Sequence, residues 1–221
     1  MSTYESLSRI RGVAPMFKFI SKLTYEMVSG LYAFRQLDDK VVTIYGSARF
    51  KPDNPYYQKA EAFGKLLAQN QINVMTGAGP GIMEAVNKGA YNINKKSHGC
   101  NIILPYEQKQ NPFISCAYQT QFFFVRKFLL RHSSKALIAF PGGFGTMDEL
   151  FESLTLIRTK CAKKIPTILI GIDYWSGLID YLQNVPLDHG TISPEDLSQL
   201  IITDDINEAL EIILKELAND S

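Results

Sequence analysis

Two stretches of this chain hold residues whose types and spacing could do chemistry. Arg126 and Lys127 interrupt the run Phe122-Phe123-Phe124-Val125 and Phe128-Leu129-Leu130, and a guanidinium in such apolar surroundings must reach water or meet an anion. The second stretch is Pro141-Gly142-Gly143-Phe144-Gly145-Thr146-Met147-Asp148-Glu149-Leu150. Its glycines leave backbone N–H groups uncovered, and a helix opening there adds its own free N–H groups and its positive dipole end. Such a turn suits a phosphate. Thr146 can cap that helix or offer its hydroxyl to the anion. Glu149, three residues later, fits either a capping box with Thr146 or a catalytic carboxylate beside a bound phosphate ester.

A strand and a helix must flank the turn to aim it. The run Ala136-Leu137-Ile138-Ala139 precedes it, and Leu150, Phe151, Leu154, Leu156 and Ile157 follow at helical spacing. The same unit recurs twice. A β-branched run over 41–45 ends at Gly46-Ser47-Ala48-Arg49, and another over 72–76 ends at Gly77-Ala78-Gly79-Pro80-Gly81, with a helix from Ile82 to about Tyr91. Further strands are expected over 99–104, 166–170 and 200–202. Helices are expected from Asn54 through Leu67, over 122–131, 174–182 and 204–217, and briefly after Ser193, with Ser193 and Asp204 as N-caps. Residues 105–112 read as a polar loop.

Six strands alternating with helices predict an α/β protein: a Rossmann-like, doubly wound parallel sheet with right-handed crossovers. Ligands of such sheets bind outside the carboxyl ends of the strands, where the three glycine turns converge. Apolar residues three or four apart over 14–37 predict one more amphipathic helix ahead of the first strand, packed outside the domain or on a second subunit. The expected division is an N-terminal helical extension over 1–38 and a nucleotide-binding catalytic domain over 39–221.

Composition narrows the function classes. The 221 residues are 46% hydrophobic, and 23 Lys and Arg balance 22 Asp and Glu, which gives no electrostatic case for a nucleic-acid or membrane partner. Cys100, Cys116 and Cys161 are too widely spaced for a metal site, and His98, His132 and His189 are scattered, so no metal is expected. No apolar run is long enough to span a membrane, and a cytoplasmic location is the expectation. The turn at 77–81 lacks the GxGxxG spacing, there is no GxxxxGK[ST], and no lysine has a context that marks it for pyridoxal phosphate. No cofactor is expected.

Together, Tyr45-Gly46-Ser47-Ala48-Arg49, the stretch from Thr76 to Ala85, Asn101-Ile102-Ile103-Leu104-Pro105-Tyr106-Glu107-Gln108, Phe124-Val125-Arg126-Lys127 and above all the PGGxGTxxE stretch resemble the Lonely guy (LOG) phosphoribohydrolases. These are often labelled "lysine decarboxylase-like". The likeness runs from about residue 40 to 215, and the extra helix and the Pro-Tyr-Glu-Gln loop resemble the longer bacterial branch. It implies hydrolysis of the N-glycosidic bond of a nucleoside 5′-monophosphate, a cytokinin riboside monophosphate or AMP, to free base and ribose 5-phosphate, in a dimer or larger homo-oligomer.

By position, the resemblance makes Arg126 and Glu149 the catalytic pair. It assigns Lys127, Gly142, Gly143, Gly145 and Thr146 to the phosphate site, with Phe144 beside them, and Ser47, Gly79, Gly81, Met83, Glu84 and Thr155 to the remaining substrate contacts. Ala78 stands where that branch commonly has glycine, which implies a less close backbone approach to the ligand. In the mechanism so implied, Glu149 stabilises oxocarbenium character at C1′ and aligns or deprotonates a water, while Arg126 holds the phosphate or orients Glu149 and keeps that carboxylate ionised by lowering its pKa. The alternative is a non-catalytic nucleotide or phosphorylated-cofactor carrier, which needs the glycine turn but not the Arg126 and Glu149 pair.

Overall fold

The computed structural model describes residues 12–37, 40–104 and 109–219. The Pro105-to-Gln108 loop and the ends of the expected extension lie outside the described residues. Along the chain, α1 (Val13–Phe34) precedes β1 (Val41–Tyr45), α2 (Pro55–Gln69), β2 (Asn73–Thr76), α3 (Ile82–Asn94), β3 (Ser97–Ile102) and β4 (Cys116–Thr120). Then come α4 (Phe123–His132), β5 (Ser134–Ala139), α5 (Phe144–Arg158), β6 (Thr167–Ile170), α6 (Ile172–Leu182), α7 (Pro194–Leu197), β7 (Leu200–Thr203) and α8 (Ile206–Asn219). A π-helical turn, Gln183–Leu187, extends α6.

The strands form one sheet in the order β4-β3-β2-β1-β5-β6-β7, with every pairing parallel. All five residues of β1 are buried, as a central strand covered on both faces requires. The chain builds outward from β1 through β2, β3 and β4, then returns to place β5 on the other side of β1. That reversal opens a crevice at the carboxyl ends of β1 and β5, where this class of sheet binds ligands.

Two apolar layers hold the helices on. One face packs Ile44, Val74, Ile138 and Ile168 against Phe63 and Leu67 of α2, Val86 of α3 and Ile213 of α8. Glycines set the approach of α2 and α3: a Cβ on Gly64 would lie 2.1 Å from the Val86 carbonyl oxygen, and one on Gly89 2.0 Å from that of Glu61. The opposite face packs Val41, Met75 and Leu137 against Phe34 of α1 and Val125 and Leu129 of α4. Thus α1 lies on its own chain along one side, while Phe17, Tyr25, Val28 and Tyr32 face outward.

Four details differ from the sequence reading. A seventh strand, β4, pairs with β3 at the sheet edge; Ala117 and Gln119 are exposed there, so no continuous apolar run announces it. The third strand ends at Ile102, and α5 begins at Phe144 with Gly143 as its N-cap. Thr146 is therefore inside the first turn, and no side chain caps that helix. Ser193 does form a capping box, with Asp196, but the residue capping α8 is Asp205, whose Oδ1 accepts from the Asn207 N–H at 2.8 Å. Asp204 instead pairs with Lys59 at 3.2 Å.

Candidate active site

The three glycine turns meet because β1, β2 and β5 are neighbours, and backbone hydrogen bonds tie them together. Ser47 N–H donates to the Pro141 carbonyl, and Ile82 N–H donates to the Ser47 carbonyl, each at 2.9 Å. Two of the glycines allow that closeness: a Cβ on Gly81, at φ +70°, would lie 2.2 Å from the Ser47 carbonyl oxygen, and one on Gly142 would lie 2.1 Å from Thr146 Oγ1. The Tyr174 hydroxyl of α6 fixes the third turn from outside by donating to the Gly142 carbonyl at 2.6 Å.

Gly143 and Gly145 are different. A Cβ on either meets nothing within 4 Å, and neither has a left-handed φ. Packing gives no reason for glycine there. Both glycines border open space at the N-terminal end of a 15-residue helix, whose first amides have no partner within the helix, a geometry suited to an anion. Phe144, between them, is 93% exposed.

Arg126 reaches the same place from the first turn of α4. Its Nε donates to the Cys100 carbonyl at 3.0 Å, its Nη1 lies 3.5 Å from Glu149 Oε1, and its guanidinium lies with the Met83 side chain over Gly77. At 3.5 Å the contact with Glu149 is longer than the ~2.8 Å of a closed charge-assisted bond, so both groups keep capacity for a further partner. Each retains some solvent access, with 13% and 9% of the two side chains exposed.

Burial dominates the electrostatics of Glu149. It pushes the carboxyl up from 4.5 to about 7, against the opposing pull of Arg126 and Lys127. The expectation that Arg126 keeps this group well ionised is thereby corrected. The guanidinium acts in the expected direction, but desolvation outweighs it. A carboxyl poised near neutrality in a cleft is suited to proton transfer, whereas a capping glutamate would sit in solvent. Burial likewise holds the nearby Tyr45 hydroxyl well above its usual value, with the Glu149 charge adding to the effect, and pushes the Cys100 thiol up to about 12. Cys100 is therefore no nucleophile.

Ser47, Gly79, Gly81, Met83, Arg126, Gly142, Thr146 and Glu149 come together around the three turns. Others are engaged elsewhere. Glu84 accepts from the Tyr57 hydroxyl of α2 at 3.0 Å, and Lys127 pairs with Asp148 at 3.0 Å and Glu152 at 2.9 Å. Thr155 is exposed and turns its hydroxyl onto the Phe151 carbonyl. Six residues past Glu149, it lies ~9 Å further along α5 on a different face.

Sequence reasoning missed the polar scaffold behind the second turn. Thr76 Oγ1 donates to Asn87 Oδ1 at 2.6 Å and accepts from the Ala78 N–H, while Asn111 donates to the Gly79 carbonyl and to Asn87 Oδ1. Asn87 and Asn111 are buried and their polar groups are paired, so this network holds the turn rigidly. Asn87 on an apolar helix face was the available signal; Asn111, in a polar stretch, offered none.

Comparison with known proteins identifies the family of the chain. A family model described as "Possible lysine decarboxylase" matches residues 83–213, more than half of the chain. A cytokinin riboside 5′-monophosphate phosphoribohydrolase of Rhodococcoides fascians is 28% identical over 180 residues, which cover 79% of this chain and 89% of that protein. A phosphoribohydrolase of the same name from Oryza sativa subsp. japonica is 26% identical over 180 residues, 80% of this chain and 72% of its own length. Among solved structures, the molybdenum cofactor binding protein of Rippkaea orientalis superposes with a TM-score of 0.60 over 82% of this chain and 99% of that one. At 20% identity that likeness is one of fold.

Proposed function

The chain belongs to the family described as possible lysine decarboxylases, the Lonely guy (LOG) family, and on that premise we propose that it is an N-glycosidic hydrolase. Its substrate is a nucleoside 5′-monophosphate, AMP or a cytokinin riboside monophosphate, and its products are the free base and ribose 5-phosphate. The relatives named as phosphoribohydrolases support the reaction class. The observation that carries the reading is Glu149: a buried carboxylate with Arg126 as its only hydrogen-bond partner among the described residues, next to a helix start where Gly143 and Gly145 border open space.

The chemistry follows from those groups. The amides of 143–146 and the N-terminus of α5 hold the 5′-phosphate, which anchors the substrate at its remote end. Cleaving the glycosidic bond develops positive charge on the ribose ring, and the Glu149 carboxylate stabilises it and takes a proton from the attacking water. A side chain near neutral pKa can accept that proton and then supply it to the departing base, so that water is divided between ribose 5-phosphate and the free base. Arg126 shares its charge between Glu149 and the bound anion. A carrier of phosphorylated cofactors would need the amide turn alone, and the half-buried Arg126 facing the buried Glu149 would then serve no purpose.

A substrate panel tests the proposal. AMP and a prenylated adenosine monophosphate should yield free base, whereas the matching nucleosides should react at least ~10²-fold less efficiently. Two charge-assisted phosphate contacts worth roughly 1.5–3 kcal/mol each account for that ratio. Equal rates for nucleoside and nucleotide would contradict the role given to the glycine turn.

A further inference from the structure

The buried Glu26 of α1 lies far in sequence from the site and is absent from the residues that the family resemblance assigns. Its Oε2 accepts the backbone N–H of Gln121 at 3.0 Å and of Phe122 at 3.4 Å. These two residues lead into α4, whose N-cap, Phe122, has no side chain that can cap a helix. A helix start is usually held by a Ser, Asp or Asn at its own N-cap. Here a carboxylate delivered from 96 residues away does the work, and a polar group buried in this way is kept only where hydrogen bonds satisfy it.

The contact belongs to a wider seam between α1 and this part of the chain. Tyr118 of β4 donates its hydroxyl to the Glu26 carbonyl at 3.1 Å, Lys22 donates to the Gln121 side chain, and Phe19 meets Phe122 edge-on at 5.4 Å. Gly30 lets the helices close up, since a Cβ there would lie 2.4 Å from Leu129 Cδ1. One helical turn after Phe122 stands Arg126, whose own N–H closes the first bond of α4 onto the Phe122 carbonyl at 3.1 Å. From there its side chain reaches the Cys100 carbonyl and Glu149. Displacing the start of α4 therefore displaces the guanidinium.

We propose that Glu26 is a positioning residue for the reaction: through the backbone of Gln121 and Phe122 it fixes the register of α4 and so holds Arg126 against Glu149. On this account α1 is a working part of the catalytic domain, although it precedes the first strand. The inference rests on the hydrolase reading for its activity arm, but not for its structural arm.

The experiment compares Glu26→Ala and Glu26→Gln with the parent in two readouts: the pH profile of kcat/KM for AMP, and the titration of Glu149 followed by carboxylate carbon NMR. A displacement of about 1 Å at a reacting group is sufficient for losses of tenfold or more. Glu26→Ala should lower kcat at least about tenfold at a temperature where it remains folded, and should raise the midpoint of the Glu149 titration, because the lowering influence of Arg126 weakens. Burial sets most of this midpoint; the charged groups that adjust it are Arg126, Lys127, Asp148 and Glu152, and the titratable groups facing it from β1 and β3 are Tyr45 and Cys100. Glu26→Gln keeps an acceptor oxygen and should recover part of both effects, and it serves as the variant of record if the alanine form fails to fold. A lowered Tm with unchanged kcat and unchanged titration would overturn the proposal. If the parent released no base but the titration still moved, the positioning role would stand and the hydrolase reading would fall.

Discussion

The Arg126 guanidinium occupies the space where a side chain at residue 77 would stand: a Cβ on Gly77 lies 2.1 Å from Nη2 and 2.8 Å from Met83 Sδ. The second glycine turn is thus bare so that a cation can lie across it, facing Glu149. Glycine here makes room for the guanidinium.

Gly77→Ala should therefore cost activity more than stability, because the atoms in its way end flexible side chains that can move aside. Moving Arg126 is the damage. The expectation is a fall in kcat/KM for AMP of about tenfold or more with a Tm close to the parent's. Gly89→Ala is the contrast, since its Cβ would strike the Glu61 backbone, and it should lower Tm sharply. Thermal melts and steady-state rates on the two variants would separate them; equal loss of Tm in both would contradict the distinction.

Gly145→Ala should raise stability and harm binding. Gly145 is helical, faces open space, and pays the usual glycine penalty of about 1 kcal/mol in a helix. An alanine methyl fits the empty protein but stands where the phosphate is expected. Calorimetry should show a higher Tm, and kinetics a higher KM for AMP. An unchanged KM would mean that no anion sits over this amide.

Activity should depend on the Glu149 proton. With the carboxyl pushed up to about 7, kcat/KM should be half-maximal near that pH and fall about tenfold per unit below it. Stability has the opposite sign. The folded protein binds this proton more tightly than the unfolded chain, so the contribution is fully present below about 4.5 and is lost as pH rises through about 7. Glu149→Gln should accordingly melt above the parent at alkaline pH, with the advantage disappearing in acid. A pH-independent difference in Tm would count against a buried charge at this position.

Ala78→Gly should be close to neutral. Ala78 has φ +61°, a left-handed conformation costing an L-residue roughly 1–2 kcal/mol that glycine relieves. Against this stand about 0.8 kcal/mol for the buried methyl and roughly 0.4–1 kcal/mol of extra freedom in the unfolded chain. Denaturant titration should place the variant within about 0.5 kcal/mol of the parent; a loss of several would show that the methyl is essential to the turn.

The periodic and apolar parts of this fold were legible from residue types. Strands such as β1 are short β-branched runs ending at small residues, and both strand and turn signals are local. β4 escaped because an edge strand with Ala117 and Gln119 in solvent has no apolar run to read. The stretch around Glu149 was legible as a phosphate turn, but its acid was not assignable: the same spacing serves a capping box, and only the position of Gly143 as N-cap excludes that use. The pKa of Glu149 was misjudged for a related reason, because a charged neighbour can be guessed from sequence whereas depth of burial cannot. Glu26 was hidden completely. Its partners are backbone N–H groups far along the chain, and these leave no mark in residue identity.

The most direct test of the account is single-turnover hydrolysis of AMP by the parent and by Glu149→Gln, with AMP affinity measured in parallel. The account predicts adenine and ribose 5-phosphate in equal amounts from the parent, a loss of about 10³-fold in the glutamine variant, and little change in AMP affinity. Base release by the variant at the parental rate, or none by the parent despite tight AMP binding, would contradict it.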